Sequence, residues 1–227
     1  MISNDFFVIM PAHNEERRIS EALQQVSVYA NNIIVVNDGS TDNTSEIVRN
    51  INPEIIILGH KINLGKGAAM KTGGEEAIKR GAKALIFIDA DGQHSAEDMV
   101  KLADKLMDEK LDIVFGERKF NSHMPLIRKL GNLLLTRLIR LFTDVNLSDT
   151  QCGLRTMTVD AYKKIIWKEK NYSVETEMII NTGKCKLKYG RIGIQTIYKD
   201  SRKGISVFDG FIILINLFKW KLRSSFK

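Results

Sequence analysis

Residues 85–94 read LIFIDADGQH, a run of four apolar residues that leads directly into two carboxylates one residue apart. An apolar run that ends at a turn is typical of a buried parallel strand. Open α/β sheets bind ligands beyond the carboxyl ends of their strands, so we expect Asp89 and Asp91 at the mouth of a sheet. The alternative interpretation is a turn that only caps the next helix, because Ser95 and Asp98 have capping-box spacing.

The side chains after this strand favour a hard divalent cation. Asp89, Asp91 and Gln93 offer carboxylate and amide oxygens, and no cluster of histidine or cysteine accompanies them. Such donors suit Mg²⁺ or Mn²⁺ better than zinc. A cation of this kind commonly also binds substrate phosphates, so the sequence predicts a metal site that accepts a phosphate-containing substrate.

Three further apolar runs have the same organisation. Each is followed by small, polar or acidic residues that are typical of a helix N-terminus. The runs are Phe6–Met10, Ile33–Val36 and Ile55–Leu58, and the polar segments after them begin at Pro11, Asn37 and Asn63. This alternation, without a Pro/Ser-rich linker or a repeat, predicts an α/β fold with a mostly parallel central sheet flanked by helices.

The composition is that of a globular protein. The chain has 227 residues, of which 44% are hydrophobic, enough to bury the core of one domain. We assign that domain to residues 1–204 and a basic amphipathic C-terminal helix to residues 205–227. Cys152 and Cys185 lack metal-type spacing, which favours reduced thiols. The apolar run at Phe6 is too short for a signal peptide, so a cytoplasmic protein is expected.

The formal net charge of +7 indicates an anionic partner or surface. Nucleic acid is not favoured, because the basic residues are not interleaved with stacking aromatic residues, which make up only 7% of the chain. Phosphates of other kinds and an anionic membrane surface are the partners that this charge favours.

Two segments combine positive charge with apolar residues. Residues 125–142 place leucines along one helical face and arginines off it, which is typical of an interfacial amphipathic helix. Residues 207–221 are apolar and then basic, and are too short to span a bilayer, which takes about 20 apolar residues. Both predict peripheral association with the inner face of the cell membrane. Core helices for the first segment and a homodimer interface for the second are the alternatives.

The glycine-rich segment after the third apolar run differs from two common phosphate-binding motifs. A P-loop requires Gly, four residues and then Gly-Lys-Ser/Thr, whereas Gly67 follows Lys66 here. The dinucleotide fingerprint should follow the first strand, where this chain carries Pro-Ala-His-Asn instead. A hydride-transferring enzyme is therefore not favoured.

Seven short motifs occur in order between Phe6 and Arg202. They are PAHNEE at 11–16, DGSTD at 38–42, NLGKG at 63–67, DADGQH at 89–94, GER at 116–118, DTQCGLR at 149–155 and ETE at 175–177. In order and spacing they resemble the family 2 glycosyltransferases of GT-A fold, and among them the dolichyl-phosphate mannosyltransferase-like branch. The chain departs from the pattern of that branch at Asn37, Glu117, Cys152 and Leu154, so the sugar and the base stay open.

The resemblance implies transfer of a hexose from a nucleoside-diphosphate sugar, GDP-mannose or a UDP-sugar, to a polyprenyl or dolichyl phosphate, with inversion at the anomeric carbon. It also implies which residues bind the donor. These are Pro11, Ala12, Asn14, Glu15 and Asp38 around the nucleoside, Gly67, Asp89, Ala90 and Asp91 further along, and Arg202 and Lys203 in a loop over the phosphates. Helix capping explains Asn14 and Glu15 nearly as well.

The implied reaction suits these residues. A divalent cation held by Asp89, Asp91 and Gln93 would stabilise the negative charge left on the diphosphate. A phosphate acceptor is already anionic and needs no general base, but it requires positive charge for positioning. Guanidinium groups bind phosphate through paired hydrogen bonds, and the candidates are Arg118, Arg128 and Arg155.

Two alternatives remain open. A hydroxyl acceptor on a glycan or a lipid would require a general base, which Asp149, Glu175 or Glu177 could supply. The alternative of another class is a non-catalytic protein that binds nucleotide sugars or membranes, and the intact pair of Asp89 and Asp91 argues against it.

Overall fold

The computed structural model describes residues 1–118, 136–137, 139–140, 143–171 and 173–195. Within them, seven strands form one sheet and six helices of seven residues or more surround it. The strands are β1 (Phe6–Ala12), β2 (Ile33–Asp38), β3 (Ile56–His60), β4 (Ala84–Phe87), β5 (Ile113–Arg118), β6 (Arg155–Thr158) and β7 (Tyr189–Ile194). The helices are α1 (Ile19–Ser27), α2 (Thr44–Ile51), α3 (Lys66–Lys79), α4 (Ala96–Asp108), α5 (Val159–Ile165) and α6 (Val174–Lys184).

The sheet is mostly parallel, as the sequence predicts. Its strand order is β3-β2-β1-β4-β6-β5-β7, and only β6 runs antiparallel to its two neighbours. From β1 the chain builds the sheet outwards through β2 and β3, and then returns to place β4 on the other side of β1. Such a reversal opens a crevice beyond the carboxyl ends of the two central strands, β1 and β4.

Both faces of the sheet are buried, which explains the continuous apolar runs. Alternate strand residues contribute to opposite faces, so that Ile9 and Phe87 pack in one cluster and Val8 and Ile86 in the other. The first cluster includes residues of α3, α5 and α6, and the second includes residues of α1, α2 and α4. The helices therefore cover the strands from both sides.

Trp167 connects this core to the first turn of α3. Its ring makes edge contacts with Phe87 and Tyr162, at centroid distances of 5.9 and 5.4 Å. Its Nε1–H donates to the carbonyl oxygen of Gly67 over 2.7 Å. A buried indole requires such a partner, and the contact fixes the start of α3 against the second half of the chain.

The segment after β4 has features of both interpretations, the end of a buried strand and the cap of the next helix. A strand does precede Asp89, and Ser95 does cap the helix, because its Oγ accepts a hydrogen bond from the Glu97 N–H. The predicted partner in the capping box, Asp98, makes a different contact. Its carboxylate accepts from the Gln195 N–H and pairs with Lys101, and so joins α4 to the end of β7.

The two segments with predicted membrane contacts lie mostly or wholly outside the described residues. Of the interfacial helix predicted over 125–142, the helical residues Thr136, Arg137, Ile139 and Arg140 are described, with Ile139 buried in the core. Residues 205–227 and the predicted boundary at 204 lie outside the described ranges, so the division into domains stays a prediction. Among the described residues there is no helix both long and apolar enough to cross a membrane.

Gly73 lets α3 pack directly on β1 and β2, and it offers a test of this packing. A Cβ at Gly73 would lie 2.5 Å from Cγ2 of Ile9 and 3.1 Å from Cγ2 of Val36. We expect Gly73→Ala to lower the free energy of unfolding by about 1–2 kcal/mol, because overpacking against two β-branched side chains outweighs the gain in helix propensity. Urea denaturation measures this change.

Gly59→Ala is the matched control for that variant. No atom lies within 4 Å of a Cβ built at Gly59, so its free energy of unfolding should change by less than about 0.5 kcal/mol. Equal stabilities for the two variants would contradict the close packing of α3.

Candidate active site

The predicted metal ligands lie at the carboxyl end of β4, beside β1. Ile88 still donates its N–H to Ile9 of β1, and the chain then turns away at Asp89. The Asp91 carboxylate accepts a hydrogen bond from the Gln93 N–H over 3.0 Å, which closes the turn around Gly92 at its positive φ of 66°. This turn holds both carboxylates at the mouth of the sheet.

A lysine that the sequence analysis did not select occupies the centre of the site. The Nζ of Lys66 lies 2.5 Å from Oδ1 of Asp89 and 2.8 Å from Oε1 of Glu175. Burial acts to lower the pKa of Lys66, but the two carboxylates outweigh it and raise that pKa above its usual range. The signal was present in the sequence, since Lys66 belongs to the NLGKG motif whose Gly67 was selected.

The two aspartates differ in their electrostatic surroundings. Burial acts to raise the pKa of Asp89, but Lys66 and His94 outweigh it and hold that pKa well below its usual range. Burial raises the pKa of Asp91, and the negative charge of Asp89 raises it further. Two close carboxylates therefore share this site, and only one of them is paired with an ammonium group.

This charge arrangement fits a divalent cation. A cation between Asp89 and Asp91 would relieve the repulsion that raises the pKa of Asp91. In the part of the chain that the structure describes, no three His, Cys, Asp or Glu side chains could hold a metal by themselves. Two carboxylates that leave other positions to water and substrate phosphates are typical of Mg²⁺ sites. Gln93 lies on the same turn, and its role as the third ligand stays a prediction.

The antiparallel strand β6 brings the DTQCGLR segment to these carboxylates. Arg155, the first residue of β6, pairs with Phe87 at the end of β4, so residues 149–154 lie where β4 ends. Gly153 is in such close contact with the Asp89 carboxylate that a Cβ there would overlap it. The structure thus joins two motifs that are far apart in the sequence.

Arg118 and Asp149 form an ion pair at the rim of this segment. The guanidinium of Arg118 contacts both carboxylate oxygens of Asp149, at 2.5 Å from Nε and 3.0 Å from Nη2. The Asp149 side chain is fully buried, whereas Arg118 is partly exposed. The pair fixes the end of β5 against the DTQCGLR segment.

The placement of Arg155 differs from the sequence prediction. Its side chain is only 1% exposed, and the guanidinium donates to the Cys152 carbonyl oxygen and contacts Sδ of Met178. It also lies over the Phe115 ring. A direct contact with an acceptor phosphate does not fit this burial, so we assign Arg155 to holding the 152–155 turn in place.

The predicted nucleoside residues lie together at the ends of β1 and β2. Pro11 and Ala12 end β1 beside Val36 and Asn37 of β2. The loops after the two strands are joined by hydrogen bonds: the Asn14 Oδ1 accepts from the Thr41 N–H, the Glu15 N–H donates to Thr44 Oγ1, and the Glu16 N–H donates to Asp42. The Asn14 side chain and the Glu15 backbone therefore have structural roles, and the contacts of both residues with the donor stay predictions.

Asp38 supports the glycine-rich loop. Its buried carboxylate accepts hydrogen bonds from the Leu64 and Gly65 N–H groups and lies 2.7 Å from Nδ1 of His60. These contacts hold the residues that precede Lys66 against the end of β2. Contact of Asp38 with a base or ribose stays a prediction, as does contact of the donor with Ala90, which is buried.

Three predicted site residues cannot be located. Arg128, Arg202 and Lys203 lie outside the described residues. The predicted acidic helix is present as the first turn of α6, where Glu177 accepts hydrogen bonds from the Lys168 and Glu169 N–H groups.

The family follows from the sequence itself. Residues 7–166 match the profile described as glycosyl transferase family 2. The chain belongs to this family. It is therefore a glycosyltransferase, as the motifs predict.

Relatives of this glycosyltransferase span nearly its full length. The uncharacterized protein MJ1222 of Methanocaldococcus jannaschii is 36% identical over 96% of this chain and 93% of its own. The UDP-N-acetylglucosamine--dolichyl-phosphate N-acetylglucosaminyltransferase of Methanococcus voltae is 32% identical over 95% of this chain and 96% of its own.

Solved structures support the GT-A fold. Glucosyl-3-phosphoglycerate synthase of Mycobacterium tuberculosis, in complex with Mn²⁺, UDP and glucosyl-3-phosphoglycerate, has a TM-score of 0.71 at 17% identity over 94% of this chain and 78% of its own. Mannosyl-3-phosphoglycerate synthase of Rubrobacter xylanophilus has a TM-score of 0.74 at 13% identity, over 97% and 74% of the two chains. At these identities the likeness shows the fold alone.

Gly153→Ala tests the contact with Asp89. The added methyl group would displace the carboxylate, and a shift of about 1 Å at a reacting centre can lower a rate by about a hundredfold. We expect a loss of this size in sugar transfer while the thermal melting temperature changes little. Gly59→Ala should retain full activity, because no atom lies within 4 Å of a Cβ built at that position. Full activity of Gly153→Ala would contradict the contact.

The two thiols should differ in reactivity. Burial and the nearby Asp149 carboxylate raise the pKa of Cys152 to about 12, whereas Cys185 is exposed. Because the thiolate is the reactive form, iodoacetamide at pH 8 should alkylate Cys185 alone in the native protein and both residues in urea. Mass spectrometry counts the modified residues, and rapid native alkylation of Cys152 would contradict its burial.

Proposed function

We propose that this glycosyltransferase transfers a sugar from a UDP-sugar to a polyprenyl phosphate such as dolichyl phosphate, with inversion and with Mg²⁺ or Mn²⁺ as cofactor. The observation that carries the proposal is that each candidate general base near the site is already engaged by a cation or by backbone N–H groups. An acceptor that is anionic without a base fits such a site best.

The three candidate bases are engaged in different ways. Asp149 accepts hydrogen bonds from Nε and Nη2 of the Arg118 guanidinium. Glu175 pairs with the Lys66 ammonium, and Glu177 accepts hydrogen bonds from two backbone N–H groups. All three residues are buried. A general base must lie within hydrogen-bond reach of the hydroxyl group whose proton it takes, and these buried carboxylates are already held by other groups of the protein. A hydroxyl acceptor, which needs a base, is therefore less well supported than a phosphate.

The name of one relative favours a UDP-sugar over GDP-mannose as donor, and the names of two favour a polyprenyl-type phosphate as acceptor. The name of the Methanococcus voltae relative gives UDP-N-acetylglucosamine as donor and dolichyl phosphate as acceptor, and the match covers nearly all of both chains. The Trichomonas vaginalis relative ALG5D, 32% identical over 82% of this chain and 64% of its own, is named a dolichyl-phosphate β-glucosyltransferase. Both names combine a sugar with a polyprenyl-type phosphate acceptor.

The residues of the site have different roles in the proposed reaction. Asp89, Asp91 and Gln93 would hold the cation, which when bound supplies positive charge for the departing diphosphate. Lys66 orients Asp89, and the loops after β1 and β2 border the crevice on the side predicted for the nucleoside. Arg118, partly exposed at the rim, would position the acceptor phosphate together with Arg128. Arg202 and Lys203 are proposed to contact the donor phosphates.

A lipid phosphate places the enzyme at a membrane surface. The net charge of +7 and the basic, apolar segments 125–142 and 205–227 support peripheral binding to the anionic inner face of the cell membrane. A homodimer interface for the second segment remains the alternative. Nucleic acid is not proposed as a partner.

Mass spectrometry of lipid products tests the proposed reaction. The protein is incubated with a short polyprenyl phosphate, Mg²⁺ or Mn²⁺, and a panel of UDP- and GDP-sugars. We expect a glycosyl-phosphate lipid from a UDP-sugar, lost with chelator and reduced at least about a hundredfold by Asp91→Asn, because that variant removes half of the charge of the metal pair.

Asp104→Asn is the matched control, since it removes an exposed carboxylate of α4 outside the site. It should form product at the wild-type rate. Product from GDP-mannose alone would overturn the donor assignment. Donor hydrolysis without a lipid product would favour a hydroxyl acceptor, and no turnover of any donor would favour the non-catalytic alternative.

A further inference from the structure

The Lys66 ammonium lies between two carboxylates, one of which is a proposed metal ligand. Its Nζ is 2.5 Å from Asp89 and 2.8 Å from Glu175. With Asp91 the group contains three carboxylates and one ammonium, so its formal charge is −2. One divalent cation would neutralise that charge.

The backbone around Lys66 is held in place from both sides. Gly65 precedes it at a positive φ of 95°, with its N–H bound to Asp38. The Gly67 N–H donates to the Lys170 carbonyl oxygen over 2.6 Å, and the Gly67 carbonyl oxygen accepts from Trp167. The lysine side chain is 17% exposed. Its ammonium can therefore change partners only by rotation of the side chain.

Glu175 has a contact pattern that suggests a role in orienting Lys66. Its side chain is 3% exposed, and Oε1 contacts Lys66. Among the described residues Oε2 has no hydrogen-bond partner. A buried carboxylate is costly unless it is paired, so its stabilisation depends on the Lys66 ammonium. Conversely, Glu175 shares that ammonium with Asp89, so that without Glu175 the ammonium would pair with Asp89 alone.

We propose that Lys66, oriented by Glu175, is a built-in counter-ion of Asp89 that competes with the divalent cation for this carboxylate. The two residues thereby set the affinity of the site for metal before the donor binds. Glu175 is a positioning residue, because it acts on Asp89 through Lys66. This inference rests on the metal-binding part of the proposed function and is independent of the sugar and the acceptor.

The competition between the ammonium and the divalent cation follows from the surroundings of the two Asp89 carboxylate oxygens. Oδ2 is the oxygen that a Cβ at Gly153 would meet first and lies 3.8 Å from Nε2 of His94, whereas Oδ1 contacts the ammonium. A cation that binds Oδ1 comes within a few ångströms of Nζ, and the two positive charges repel each other. Glu175 offsets part of this repulsion by its own negative charge.

The test is a titration of Mn²⁺, followed by electron paramagnetic resonance, on the whole protein without donor or acceptor. We expect Lys66→Met to lower the Kd for Mn²⁺ at least about tenfold, and Glu175→Gln to raise it by a similar factor, since one unit charge near a divalent cation has an effect of this order even in water. A role of either residue in folding alone would not give opposite signs.

Two further variants serve as matched controls. Lys83→Met removes an exposed lysine that pairs with Asp5 on the surface, and its Kd should stay within about twofold of wild type. Lys66→Met combined with Glu175→Gln restores the formal charge of −2, and its Kd should return to within about threefold of wild type.

The outcomes separate this proposal from the proposed function. Mn²⁺ binding to Lys66→Met that is no tighter than to wild type, or tighter binding to Glu175→Gln, overturns the counter-ion role, while the lipid-product assay keeps its own result. Should Lys66→Met be too unstable without metal for the titration, melting curves with and without Mn²⁺ replace it. The proposal then requires a larger rise in Tm with Mn²⁺ than in wild type, and an equal or smaller rise overturns it.

Discussion

The contact of the Lys66 ammonium with Asp89 and Glu175 is the interaction on which the arrangement of the site depends. It joins the end of β4, the start of α3 and the first turn of α6, three elements from different parts of the chain. Without the Lys66 ammonium between them, the partly exposed Asp89 carboxylate and the buried Glu175 carboxylate would repel each other and would be more stable in water than in the crevice. The ion pairs therefore have two roles. They hold the three elements in place, and the same charges surround the proposed cation site.

Close backbone packing around this contact makes it specific. Gly67 lies against the 169–170 backbone and Gly153 against the Asp89 carboxylate, so that neither position has room for a side chain. The single antiparallel strand, β6, is the reason that the DTQCGLR segment reaches Asp89 at all, since its first residue pairs with the end of β4. A parallel strand in the same position would have placed that segment at the opposite edge of the sheet.

Much of the fold was predictable because its signals are local. The apolar runs of β1 to β4 differ from the observed strands by no more than two residues at either end, and the carboxylates that follow β4 lie at the mouth of the sheet as predicted. Other features depend on distant residues. Arg155 belongs to a motif that suggests phosphate binding, yet burial against Cys152, Met178 and Phe115 gives it a structural contact instead. No pattern within the motif reports that burial.

The family, the alternation of strands and helices, and the residue types that suit a divalent cation and a diphosphate can all be read from the sequence, because short motifs and apolar periodicity are local signals. Which polar side chains lie next to one another depends on how the strands are arranged in three dimensions. Strand order and the direction of β6 bring together the ion pairs of Lys66 with Asp89 and Glu175 and of Arg118 with Asp149. Electrostatic interaction depends on distance in space, and the chain folds residues far apart in sequence to within a few ångströms of one another.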